Sequence, residues 1–148
     1  MNSYNGFSPA QRYKALAYHK AEIKSGRKPA RPLKCDCCGT KQGFLAWHSE
    51  DYSEPFGPHI GEYGVCYRCH MHIHCRFRNP QKFNQYCDQI ENGSRFKPYM
   101  TANWNKFKFE NLVNDIYGFL EPIDNEFNIS NSLILRLRQN DEPLISQH

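Results

Sequence analysis

Two Cys-x-x-Cys pairs, Cys35/Cys38 and Cys66/Cys69, stand 27 residues apart in a chain of 148. Each pair sets two thiolates on one tight turn, which is half of a tetrahedral metal shell. Closing the shell takes both halves, so whatever lies between Cys38 and Cys66 must leave the first turn and come back to it. The gap is longer than that of a zinc ribbon or finger, with room for a small piece of structure. Seven cysteines is an odd count. Their paired spacing beside histidines favours thiolate zinc ligands in a reducing compartment over a disulfide framework. Cys37 and Cys75 are spare neighbours at less regular spacing. The first expectation is a structural zinc on Cys35, Cys38, Cys66 and Cys69, which in a chain with a modest core supplies folding free energy.

A second site is expected just beyond. His70 follows Cys69 directly, and His74 lies about one helical turn further on, so both project from one helix face. Two imidazoles on one face make a metal-binding edge separate from the thiolates. Upstream, Phe44 to His48 reads as a short strand ending at the cluster His48-Ser49-Glu50-Asp51. Ser53 to Gly64 is rich in Pro and Gly and reads as a loop, and Tyr63 to Val65 as a strand returning to Cys66. A helix beginning near Cys69 then carries the two histidines. A divalent ion held by His70 and His74, with Asp51 as a third ligand, suits polarisation of a phosphodiester. His48 on the facing strand suits a general base, since histidine titrates near neutral pH.

Charge points the same way. The net +4 conceals an asymmetry: residues 1–34 carry eight Lys/Arg against one Glu, residues 35–120 balance, and residues 121–148 carry two against five. Within residues 27–34, Arg27, Lys28, Arg31 and Lys34 are interrupted by prolines, so the stretch is not helical and suits a cationic arm tracking a phosphate backbone. Arg76 and Arg78 follow the histidine helix closely and are candidate phosphate clamps. A nucleic acid is the expected partner. No apolar run approaches the ~20 residues of a membrane span, and the first eight residues hold no apolar leader. The expectation is a cytoplasmic protein with no membrane partner.

The flanks read as helices. Ser8-Pro9-Ala10-Gln11 is a helix start, with Ser as cap, Pro at the first turn and Gln three residues after the cap. That helix ends near Ser25-Gly26, with Tyr13, Leu16, Ala17 and Lys20 sharing a side. Asn79-Pro80 starts another, ended by Asn92-Gly93, with Phe83, Tyr86, Cys87 and Ile90 as a core stripe. Cys87 is thus expected to be a buried thiol. Residues 103–119 form a further helix with Phe107, Leu112, Ile116 and Phe119 inward. The run Leu133 to Leu137 is either a strand or a helical turn, in a tail expected to be peripheral. This gives an α+β fold with three parts. Residues 1–34 are a basic helix and linker arm, 35–100 a zinc-stapled core with its following helix, and 101–148 a C-terminal helix and tail.

Phe44 to Arg78 resembles the HNH or ββα-metal nuclease family, in particular its zinc-stapled members and the colicin-type DNases, a resemblance that covers about a quarter to a third of the chain. Cys35-x-x-Cys38-Gly39 and Cys66-x-x-Cys69-His70 match the zinc frame, and His70-Met71-His72-Ile73-His74 resembles the family's His-x-x-x-His helix. The stretch His48-Ser49-Glu50-Asp51-Tyr52-Ser53-Glu54-Pro55 is similar to the HHxDYxxP stretch of small phage and bacterial HNH-like proteins. The resemblance implies a small ββα-metal core and a metal-dependent endonuclease acting on DNA, using Mg, Mn, Ni or Zn beside the structural zinc. In the family a metal ligand is followed directly by a general-base His. Here either His48 is the base and Trp47 precedes it, or His48 is the ligand and Ser49 occupies the base position. Glu50, Asp51 or His59 stand in for the Asn that orients the base. The alternative is a non-catalytic zinc module that binds nucleic acid or protein on a degenerate scaffold of this kind.

Overall fold

The computed structural model describes residues 1–114, 123 and 126–139. Helix α1 spans Pro9–Lys24. Strands β1 (Leu45–His48) and β2 (Tyr63–Cys66) follow, then α2 (Tyr67–Cys75) and α3 (Pro80–Glu91). A short α4 (Trp104–Phe107) runs on into a π-helical turn over Lys108–Val113, and α5 spans Leu133–Gln139. The class is α+β, with a two-stranded antiparallel sheet and helices around it.

Strand pairing sets everything that matters for the site. Leu45 pairs with Cys66, Ala46 with Val65, Trp47 with Gly64 and His48 with Tyr63. One end of β1 therefore lies beside the thiolate turn and the other presents His48. Cys66 closes β2 and also caps α2, its Sγ accepting from the Cys69 amide at 3.5 Å. The helix thus begins two residues earlier than Cys69, because a sulfur at the cap satisfies one of its otherwise orphan amides.

The start of α1 follows the sequence signals. Ser8 and Gln11 form a reciprocal capping box, Pro9 sits in the first turn, and Gly26 takes φ +81° beyond the C-cap. The face that packs differs from the expected one. Ala15 is fully buried while Tyr13 is 55% exposed, and Arg12, Leu16 and His19 share the inward side with Ala15. Before α1, Tyr4, Asn5 and Phe7 are buried as well. The N-terminal segment is part of the core.

Residues 27–34 are non-helical as expected, yet they do not hang free as an arm. Lys28 Nζ donates to the Gly61 carbonyl at 2.6 Å and lies 4.1 Å from the centre of the Trp47 ring. Trp47 Nε1 donates to the Pro29 carbonyl, and the Arg31 guanidinium sits over Phe44. A Cβ on Gly64 would meet Pro32 Cβ at 2.5 Å and the Lys34 carbonyl at 2.6 Å. Only glycine lets the strap lie this close to β2.

Helix α3 buries Phe83, Tyr86, Cys87 and Ile90, the stripe read from the sequence. Its Asn79 cap makes no side-chain hydrogen bond. The expected single helix over 103–119 is broken by the π-helical turn; Phe107 is fully buried, and Ile116 and Phe119 lie outside the described residues. The expected peripheral tail is corrected over part of its length. Ser132, Leu133 and Ile134 are buried, Leu133 N donates to the Asp36 carbonyl, and Ser132 Oγ donates to the Cys37 carbonyl at 2.7 Å. Alternating apolar residues there serve a helix docked on the first cysteine turn and on α3. Among the described residues no helix is long and apolar enough to cross a membrane.

Candidate metal centres

The four cysteines of the two pairs converge. One Sγ from each of Cys35, Cys38, Cys66 and Cys69 lies within 4.8 Å of the others, and all four residues are buried. Cys38 and Cys66 are 3.9 Å apart at sulfur, close to the ~3.8 Å edge of a tetrahedron with zinc–sulfur bonds of ~2.3 Å. None of the seven cysteines is in a disulfide. The Cys37 amide donates to Cys35 Sγ at 3.4 Å, and Tyr86 Oη lies 3.1 Å from Cys69 Sγ, so the sulfurs are hydrogen-bonded from outside the cluster too. Burial opposes ionisation of Cys35, but hydrogen bonds from Cys37, Cys38, Cys66 and Cys69 outweigh it and hold Cys35 as a thiolate. Hydrogen bonding to Cys35, Cys38 and Cys69, then burial, pushes Cys66 up; burial first pushes Cys69 up. The donor set fits a metal ion such as zinc, whose binding releases the remaining protons.

The spare cysteines stay outside. Burial keeps Cys37 a thiol, with its pKa pushed well up. Burial pushes Cys87 up to about 12, in the core as expected, its thiol donating to the Ile134 carbonyl at 3.8 Å.

A second group of ligands forms where β1 ends against α2. His48, His70 and His74 bring one ring nitrogen each within 4.8 Å of the others. His70 and His74 face each other at Nε2···Nε2 3.0 Å, and the His48 ring centre lies 5.0 and 5.2 Å from theirs. Burial, then the charge of His48, lowers His70 to about 3; burial, then His70, lowers His74 to about 2. Both therefore keep the neutral form that a metal requires. His48, expected as the base or as a ligand, lies in one group with His70 and His74. Asp51, the expected third ligand, is not in the cluster, because its Oδ1 accepts from the Ser53 amide at 2.8 Å and closes a turn.

Behind His48 lies a buried polar quartet. His48 Nε2 is 2.5 Å from Glu50 Oε2 and 3.3 Å from Tyr4 Oη, while Arg76 donates to Glu50 Oε1 and to Tyr4 Oη, both at 2.6 Å. Tyr4 Oη also donates to Glu50 Oε2. Burial pulls the Glu50 pKa up, but its bond to His48 and the charges of His48 and Arg76 prevail and hold it at about 2. A carboxylate on one nitrogen of an imidazole leaves the other nitrogen its lone pair, which is how metal-ligating histidines are oriented. His48 Nδ1 is buried with no hydrogen-bond partner. A buried nitrogen left so is costly, and a metal ion would satisfy it. These three imidazoles fit a divalent ion.

The same quartet corrects the expectation for Arg76. It is buried, and both terminal guanidinium nitrogens are bonded within the fold, so it does not present them to a phosphate in solvent. Arg78 is exposed. Arg31 and Lys34 are exposed over the rings of Phe44 and Phe127, and Arg27 pairs with Glu22.

The three histidines line a pocket of about 180 Å³ together with Arg12, Ala15, Leu16 and His19 of α1. The Arg12 guanidinium donates to the Asn2 carbonyl and to Tyr52 Oη and lies over the Tyr4 and Tyr52 rings. Neither Arg12 nor His19 was among the expected site residues. Their spacing with Ala15 and Leu16 marks one helix face, and that signal was available beside the mostly polar remainder of α1. Tyr4 had no comparable signal.

The chain matches no family model, no curated protein and no solved structure. The function therefore has to be argued from the site.

Proposed function

We propose that the chain is a metal-dependent endonuclease of the HNH, ββα-metal type that hydrolyses phosphodiester bonds of DNA. The observation that carries the reading is the convergence of His48, His70 and His74 at the wall of a pocket lined by a cation. Three protein nitrogens with a position open to a cavity is the pattern of a catalytic metal site, whereas four thiolates is that of a structural one. The chain has one of each, in the order strand, strand, helix. A divalent ion bound to the three histidines supplies Lewis-acid polarisation of the phosphodiester and neutralises charge on its leaving oxygen. Glu50 and Arg76 hold His48 in orientation, and Arg12 offers a positive charge at the pocket for a phosphate oxygen. Arg78, Arg31 and Lys34 are exposed cations that offer further charge for a phosphate backbone.

A second reading, the non-catalytic nucleic-acid or protein adaptor, has its own support. Ser49, in the position where the resembled family carries its base, accepts from the Gly61 amide at 2.6 Å and is buried. Supercoiled plasmid separates the two readings. The endonuclease nicks it with Mg²⁺, Mn²⁺, Ni²⁺ or Zn²⁺ and stops with EDTA, and His74→Ala loses nicking while keeping the thiolate-bound metal. Wild-type protein that cuts with none of these ions leaves the adaptor.

A further inference from the structure

We propose that His19 of helix α1 is the general base of this site. The assignment rests on the endonuclease reading and deepens it. His19 lines the same pocket as His48, His70 and His74, from another element of the fold. It shares an α1 face with Arg12, Ala15 and Leu16, and the fully buried Ala15 lets the helix approach closely. The contact that places it is specific. His19 presses on Gly61, where an added Cβ would meet its Cε1 and Nδ1, and the Gly61 amide donates to Ser49 Oγ. Gly61 thus touches both Ser49, beside His48, and an imidazole arriving from another element. Gly61 has φ +61°, so both its backbone and its missing side chain serve this approach.

His19 is otherwise unexplained. Its Nδ1 is buried with no hydrogen-bond partner, unlike His59, which binds the Ser53 carbonyl. Burial, then the charge of Lys28, lowers its pKa and keeps it neutral, as a proton acceptor must be. In the proposed step a water in the pocket gives a proton to an unprotonated nitrogen of His19 as its oxygen forms a bond to phosphorus. The P–O ester bond on the far side breaks, the leaving oxygen takes a proton from solvent, and the imidazolium returns its proton to solvent. The net change is hydrolysis, with no oxidant or reductant.

The experiment compares wild type, His19→Ala and His19→Gln, each in full-length, zinc-loaded protein. It reads hydrolysis of bis(4-nitrophenyl) phosphate and of plasmid, metal content, and duplex DNA affinity in EDTA. Both variants are expected to keep both metals and duplex affinity and to lose about 10²–10⁴-fold in kcat, the usual contribution of a general base. Added imidazole should restore part of the rate to His19→Ala and none to His19→Gln, which leaves no cavity. If wild type cuts and both variants cut equally well, His19 is not the base and the endonuclease reading stands. If His19→Gln folds but loses metal from the histidine site, His19 supports the metal and the base assignment is overturned. If wild type is inert toward every substrate, both proposals fall.

Discussion

Glu50 takes His48 on one carboxylate oxygen and Arg76 on the other, with Tyr4 Oη reaching both His48 and Arg76. Each member of that quartet is buried, so none can be removed without stranding another. Its consequence for function is orientation: the carboxylate on Nε2 leaves Nδ1 as the ring's acceptor. Glu50→Gln keeps the size and loses the charge. It should lower the affinity of the histidine site for Zn²⁺ or Co²⁺ by about 10–100-fold while the thiolate site stays loaded. Calorimetric titration of protein already carrying one zinc measures this directly, and an unchanged affinity would mean that Glu50 is only a core ion pair.

At the scale of elements, α1 and the strap that follows it change the meaning of the basic N-terminal third. Tyr4, Phe7 and Ala15 are core residues, and the strap lies on β2 through Gly64. Deleting residues 1–34 would therefore test folding, not charge. The cations that remain exposed are the ones to neutralise. Gln at Arg31, Lys34 and Arg78 together should flatten the log–log salt dependence of duplex binding by up to ~0.9 for each phosphate that is no longer neutralised. Fluorescence anisotropy from low to moderate salt reads the slope. A triple variant that folds and shows the wild-type slope would make these side chains a solvated face and no more.

Across the whole molecule the cysteine cluster is the centre of the core rather than an attachment to it. Cys35, Cys38, Cys66 and Cys69 pack in one cluster with Val65, Ile73, Phe83, Tyr86, Ile90 and the α5 residues Leu133 and Ile134. Structural zinc contributes roughly 10–16 kcal/mol on binding, which matches or exceeds the ~5–15 kcal/mol by which a domain is stable. Stripping the thiolate-bound metal should then abolish cooperative melting, and Cys66→Ser should do the same. Cys87→Ser should still melt cooperatively, at a lower temperature. A metal-free chain that melts cooperatively at the holoprotein temperature would overturn the structural role. Removing metal from the three histidines should leave the fold standing, since His70 and His74 stay neutral when empty.

What the sequence determined by itself was local. Ser8 and Pro9 start α1, Gly26 ends it, the 3-4 stripe of α3 is buried, and the two Cys-x-x-Cys turns meet, because caps, periodicity and ligand spacing act within a few residues. His70 and His74 share a face for the same reason. The tertiary structure decided the rest. Which ligand joins those two histidines depends on the register that pairs His48 with Tyr63 and on the Ser53 turn that draws Asp51 away. Whether Arg76 meets a phosphate or Glu50 depends on Tyr4, 72 positions away in the chain. His19 reaches the pocket only because Gly61 has no side chain and α1 can lie against it. These are contacts between segments whose separate patterns carry no mark of each other, and packing alone brings them together.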